Sequence, residues 1–136
     1  PTAIVALAYM IAITGVPDHE EMKFGGALLW LRRWEIWSES IDRTGYAFLH
    51  GLRGASERLP LIEASPAHVL QEGEFFQACA LLALPMFFQW DARFLPADAS
   101  YHVSVSHEGH LDLFANDQVR CNELLTRFKD WNPMLV

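Results

Sequence analysis

The stretch Tyr101 to Asp117, YHVSVSHEGHLDLFAND, constrains the fold more than any other part of the chain. Apolar and polar side chains alternate on both sides of His107-Glu108-Gly109, and period-two alternation is the mark of strands with one buried face. Loop length then decides which residues meet, because a one-residue slip moves every side chain to the other face. A two-residue loop at Glu108-Gly109 would set Val105 against Asp112 and Ser104 against Leu113, mixing polar with apolar on both faces. A three-residue loop, a type I turn with Gly109 left-handed, pairs Val105 with Leu111, Val103 with Leu113 and Tyr101 with Ala115. One face is then wholly apolar, and the other carries His102 opposite Phe114, Ser104 opposite Asp112 and Ser106 opposite His110. The second register is the predicted one.

The same register limits the chemistry. Three of the six histidines fall in this stretch beside Glu108 and Asp112. His102 and His110 share a face but stand four positions apart along the ladder, roughly 13 Å at the usual strand rise. Two imidazoles cannot share one ion over that span when each nitrogen must lie ~2 Å from it. Only His107 and His110 can approach, near the turn, and the histidines read as loop and solvent-face residues. No metal or cofactor is expected.

Elsewhere the patterns read mainly as helices. Residues 3 to 14 are apolar on every face, and Gly15 and Pro17 follow as a helix ending, although Ile4, Val5, Ile11 and Ile13 keep a buried strand open as the alternative. Sixteen uncharged residues at the start fall short of the ~20 a membrane span needs and lack the basic start of a secretory signal. Asp18 and Glu21 have capping-box spacing. Trp30, Trp34, Trp37 and Ile41 recur at helical intervals with Arg32, Glu35, Glu39, Asp42 and Arg43 opposite, predicting an amphipathic helix whose tryptophans face inward. A helix continues or restarts in TGYAFLHGLRG and stops near Gly54, and residues 55 to 64 read as a connection. Ser65 and Pro66 suit the start of a short helix through His68 to Gly73, and residues 74 to 84 suit a buried helix ended by Pro85. QWDARFL alternates as a strand, and Asn116 or Asp117 caps a last helix closed by Asn132-Pro133. The expected fold is α+β in one domain, residues 1 to 136: a helical N-terminal half packed on a three-stranded antiparallel sheet, about residues 89 to 115, with a C-terminal helix.

Composition narrows the function classes. The net charge is −7, with six cations against eight carboxylates in residues 1 to 68 and four against nine in 69 to 136. An acidic field repels phosphate backbones and anionic lipid and attracts basic proteins, so neither nucleic acid nor membrane is an expected partner. Cys79 and Cys121 lie far apart without a CxxC, as suits small core thiols in a reducing compartment, and a cytoplasmic protein is expected. GLRGASER lacks the Gly-Lys-Ser/Thr of a phosphate loop, and no GxSxG, HExxH or dinucleotide fingerprint occurs. His50 and His68 stand alone.

The expectation is a small acidic protein-binding module, an inhibitor or immunity-type protein that neutralises a basic partner, more a binder than an enzyme. Its contact residues would be Glu108, His110, Asp112, Phe114 and Asp117. Two alternatives are a small-molecule binder or enzyme with a pocket walled by Trp30, Trp34 and Trp37, with Arg33 and Tyr46 as polar neighbours, and a structural subunit assembling through the apolar N-terminal run. A third enters through Pro1: were it the mature N-terminus, its secondary amine would be a general base, and at that position the chain resembles the tautomerase superfamily. The resemblance implies a strand starting at the proline and a repeated strand-helix-strand unit, whereas residues 17 to 85 read as helices.

Overall fold

A computed structural model describes residues 2–14, 24–31, 43–54, 67–131 and 133. The chain forms α1 (Thr2–Thr14), β1 (Ala27–Leu31), α2 (Arg43–Gly54), β2 (Ala67–Leu70), α3 (Phe75–Phe88), β3 (Ala92–Pro96), β4 (Tyr101–Val105), β5 (Leu111–Ala115) and α4 (Gln118–Arg127), then a 3-10 turn (Lys129–Trp131). All strand pairings are antiparallel, in the order β2-β1-β3-β4-β5. The fold is α+β.

The inner face of the sheet is continuous across the register. Leu29 lies beside both His68 and Phe94, Phe94 beside Val103, and Val103 beside Leu113. Leu29, Phe94 and Val103 are essentially sealed from solvent. Against this layer pack α1 and α3, both apolar on every side and in contact with each other. One face of α1 is fully buried at Ala8, Ile11 and Ala12, while Ala3, Ala6 and Tyr9 are exposed, and α3 likewise leaves Phe76 and Phe87 exposed. The Tyr101 hydroxyl donates to the Ile11 carbonyl at 2.5 Å, a group in the last turn of α1, where the carbonyls lack intrahelical donors. One bond thus ties the N-terminal helix to β4.

Several expectations are corrected. The sheet has five strands rather than three, and the N-terminal half is not all helical. Ala27–Leu31, the start of the predicted tryptophan helix, is β1; Trp30 lies on a strand facing away from the core and is half exposed. β1 is interior to the sheet and carries apolar side chains on both faces, which erases the alternation that identifies a strand. Ala67–Leu70, expected as helix after Ser65 and Pro66, is β2, paired with a segment some forty residues earlier in the chain. Pro85 does not end α3. Its missing N–H costs the bond to the Leu81 carbonyl, yet the helix runs on to Phe88 and stops at Gln89, left-handed at φ 56°. There Trp90 N–H returns to the Pro85 carbonyl at 2.8 Å, a Schellman closure.

The other expectations fare better. α1, α2 and α4 appear where the pattern set them, and the hairpin has the predicted register pair for pair. Gly109 is left-handed at φ +86°, and Gly109 N–H donates to Ser106 O at 3.0 Å, closing the type I turn. Asp117 is the N-cap of α4, accepting from Arg120 N–H at 2.8 Å. The Asp18–Glu21 capping box, Arg33, Trp34, Trp37, residues 55 to 64, and Pro1 lie outside the described residues. Helix begins already at Thr2, so the strand implied by the tautomerase resemblance is not there.

Candidate functional site: the outer face of the sheet

Leu28, Trp30, Val69, Arg93, Leu95, His102, Ser104, Asp112 and Phe114 project away from the helical layer, as alternation from the buried positions requires. Trp30 is 49% exposed, Val69 44% and Phe114 47%. A lone surface apolar residue needs no explanation, but several sharing one sheet face form the kind of patch that marks an interaction site. Register sets them in rows. Val69 and Leu95 flank Leu28, while Trp30, Arg93, Ser104 and Asp112 follow one another across four strands. At the β5 end the His102 and Phe114 rings stack with centroids 4.4 Å apart and planes 13° from parallel. His102 thereby supports Phe114 as a rigid apolar platform.

The turn end of the hairpin is acidic. His110 stands between two carboxylates, with Nδ1 3.9 Å from Glu108 and Nε2 3.8 Å from Asp112, and all three side chains are exposed. These distances are too long for good hydrogen bonds, so water can still reach the carboxylates. Of the five residues expected to meet a partner, Glu108, His110 and Asp112 are therefore grouped, and Phe114 shares the strand and face of Asp112. Asp117 lies beyond the far end of β5, with one oxygen engaged in capping α4.

Asp91 is a member of this region that sequence reasoning missed. One of its oxygens accepts from the backbone N–H of His107 at 2.9 Å and lies 2.8 Å from His107 Nδ1. A carboxylate can only accept, so Nδ1 carries the ring proton. Asp91 precedes β3 and His107 is in the turn, so the pair clamps the acidic loop to the neighbouring strand. Nothing local announces it: the partners are sixteen residues apart, and each lies in a loop.

Chemistry at the described residues is sparse. No three His, Cys, Asp or Glu side chains among them converge as metal ligands. A cleft with room for only about 30 Å³, lined by Ala12, Phe24, Gly26, Pro96, Asp98 and Tyr101 among others, falls far below the ~300–1,000 Å³ usual for small-molecule sites. Cys79 and Cys121 are free thiols, both half-buried. Burial pushes the Cys79 thiol up from its ordinary 9.0, which disfavours the nucleophilic thiolate at neutral pH. No described helix is long and apolar enough to cross a membrane. No known protein family, no curated protein and no solved structure matches this chain.

Proposed function

We propose that this protein is a small acidic protein-binding module, of the inhibitor or immunity type, that occupies a basic partner through the outer face of its sheet. The observation that carries the reading is the joint exposure of Trp30, Val69 and Phe114 on one face, whose β5 end carries the carboxylates Glu108 and Asp112. An apolar centre with a charged rim is the usual anatomy of a protein interface, and aromatic anchors supply most of the affinity in such surfaces. The excess of five negative charges over residues 69 to 136 supports a basic partner, because complementary fields raise the rate of encounter.

A pocket lined by tryptophans has less support, since Trp30 faces outward from a strand. The test of the leading reading is affinity capture by the tagged protein and by its Glu108→Lys, Asp112→Lys double variant, with capture ranked by identified protein. Both sites are exposed, so the variant should melt within a few degrees of the parent. A basic protein enriched by the parent and lost by the variant is expected. Equal capture by the two, or an enriched partner that is itself acidic, would count against the proposal.

A further inference from the structure

Among the described residues β5 is the end of the sheet and hydrogen-bonds to β4 alone. The loop shows which of its backbone groups face outward. Gly109 N–H donates to Ser106 O, and Ser106 N–H donates to His110 O, both at 3.0 Å. Ser106 and His110 are thus a hydrogen-bonded pair. Such pairs alternate with non-bonded ones along an antiparallel ladder, so Asp112 and Phe114 bond to β4 while Leu111, Leu113 and Ala115 turn their N–H and C=O away from it. Among the described residues none of these outward groups has a partner.

The helix that follows does not cover the edge. The Arg120 guanidinium lies 5.4 Å over the Tyr101 ring on the inner face, and Leu124 and Phe128 are buried in the core, so α4 sits beneath the sheet. Neither proline, lysine nor bulge interrupts Leu111 to Ala115, and these are the usual protections of an edge strand. The charges near the edge are acidic: Asp112 on the strand, Glu108 in the turn, Asp117 just beyond. Among the described residues the nearest cation on the same face is Arg93, two strands away, roughly 10 Å at the usual strand spacing.

The geometry points to β5 accepting an extended, cationic segment of a protein partner as a sixth strand. This rests on the protein-binding reading above and specifies how the partner attaches: backbone bonds supply affinity, and alternate side chains supply selectivity. A second copy of this chain fits the edge less well, because it brings −7 against −7. In antiparallel pairing, directly opposite residues share a face. The segment therefore carries an apolar residue opposite Phe114, a lysine or arginine two positions later opposite Asp112, and a further cation beside His110 and Glu108.

The probe is a fluorescein-labelled peptide, acetyl-Thr-Leu-Val-Lys-Val-Lys-amide, whose leucine meets Phe114 and whose first lysine meets Asp112. Its two valines fall opposite Leu113 and Leu111 and donate to them. N-methylating both valines should weaken binding about tenfold or more, whereas N-methylating the leucine and the first lysine should change it less than about twofold. The unmodified peptide should shift the amide resonances of Leu111, Leu113 and Ala115. The inference is overturned by equal effects of the two methylation patterns, by shifts centred elsewhere, by no binding at millimolar peptide, or by a dimer of the protein alone that already protects these amides. If Asp112→Lys weakens the peptide while the methylation pattern is immaterial, edge pairing falls and the acidic-surface reading stands; if neither matters, both fall.

Discussion

Asp91 organises the acidic loop through one oxygen atom, which faces both the backbone N–H and the ring of His107. Removing a partly buried acceptor leaves its donors unmet, at roughly 1–3 kcal/mol. Asp91→Ala should lower stability by about 1–2 kcal/mol and speed amide exchange at His107, Glu108 and Gly109, leaving α1 and α3 protected. Uniform loss of protection instead would mean that the clamp supports the whole fold and not the loop. The pair was hidden in the sequence because a contact between two loops leaves no periodicity. Gly109 was legible for the opposite reason: the turn type that gives the hairpin a consistent apolar face demands a left-handed residue at that position.

At the scale of elements, the sharpest constraint is the approach of α2 to the end of α3. A Cβ on Gly45 would come within 2.6 Å of Phe88 and 2.8 Å of Trp90, rings that stack at 5.3 Å and 21° and hold each other in place. Gly45→Ala gains up to about 1 kcal/mol of helix propensity, but overpacking of this kind costs roughly 1–3 kcal/mol. A net loss near 1 kcal/mol and a lower Tm are expected; a raised Tm would show that the rings yield. Elements whose burial is one-sided were readable, as with β4 and β5, or α4 behind its Asp117 cap. β1 was not, because Leu28 and Trp30 are as apolar as Leu29 and Leu31, and the spacing of Trp30 to later tryptophans imitates a helix. β2 is four residues long, too short for a period to register, and its start resembles a helix cap. Pro85 misled because a proline in the last turn of a helix removes a single bond, and the Schellman closure at Trp90 compensates. Of the candidate site, the Asp112 and Phe114 face followed from register alone. Trp30 and Val69 joined it only through long-range pairing that no local pattern encodes.

For the whole molecule, one face of α1 belongs to the core. Ala8, Ile11 and Ala12 are fully buried, and Tyr101 bonds to the Ile11 carbonyl across ninety residues of chain. Deleting residues 1 to 15 should therefore abolish the cooperative thermal transition; a truncated protein that still melts cooperatively but changes its sedimentation would restore that segment as an assembly element. With helices packed on one side of the sheet, its other face and its β5 edge are the surfaces that the proposal assigns to binding. Two features converge there: exposed aromatic and aliphatic side chains, and the acidic excess of the C-terminal half. Steering by that excess is screened beyond ~10 Å at 0.1 M salt, so association with the partner should slow as salt rises while dissociation changes little.

The most direct test of the central claim is an amide-resolved chemical-shift map of the labelled protein saturated with the basic protein it captures. Perturbations should concentrate on Leu111 to Ala115, the 107–110 turn, and the outer-face positions Trp30, Val69 and Arg93. A map centred instead on α1 and α3, with the outer face silent, would contradict the account.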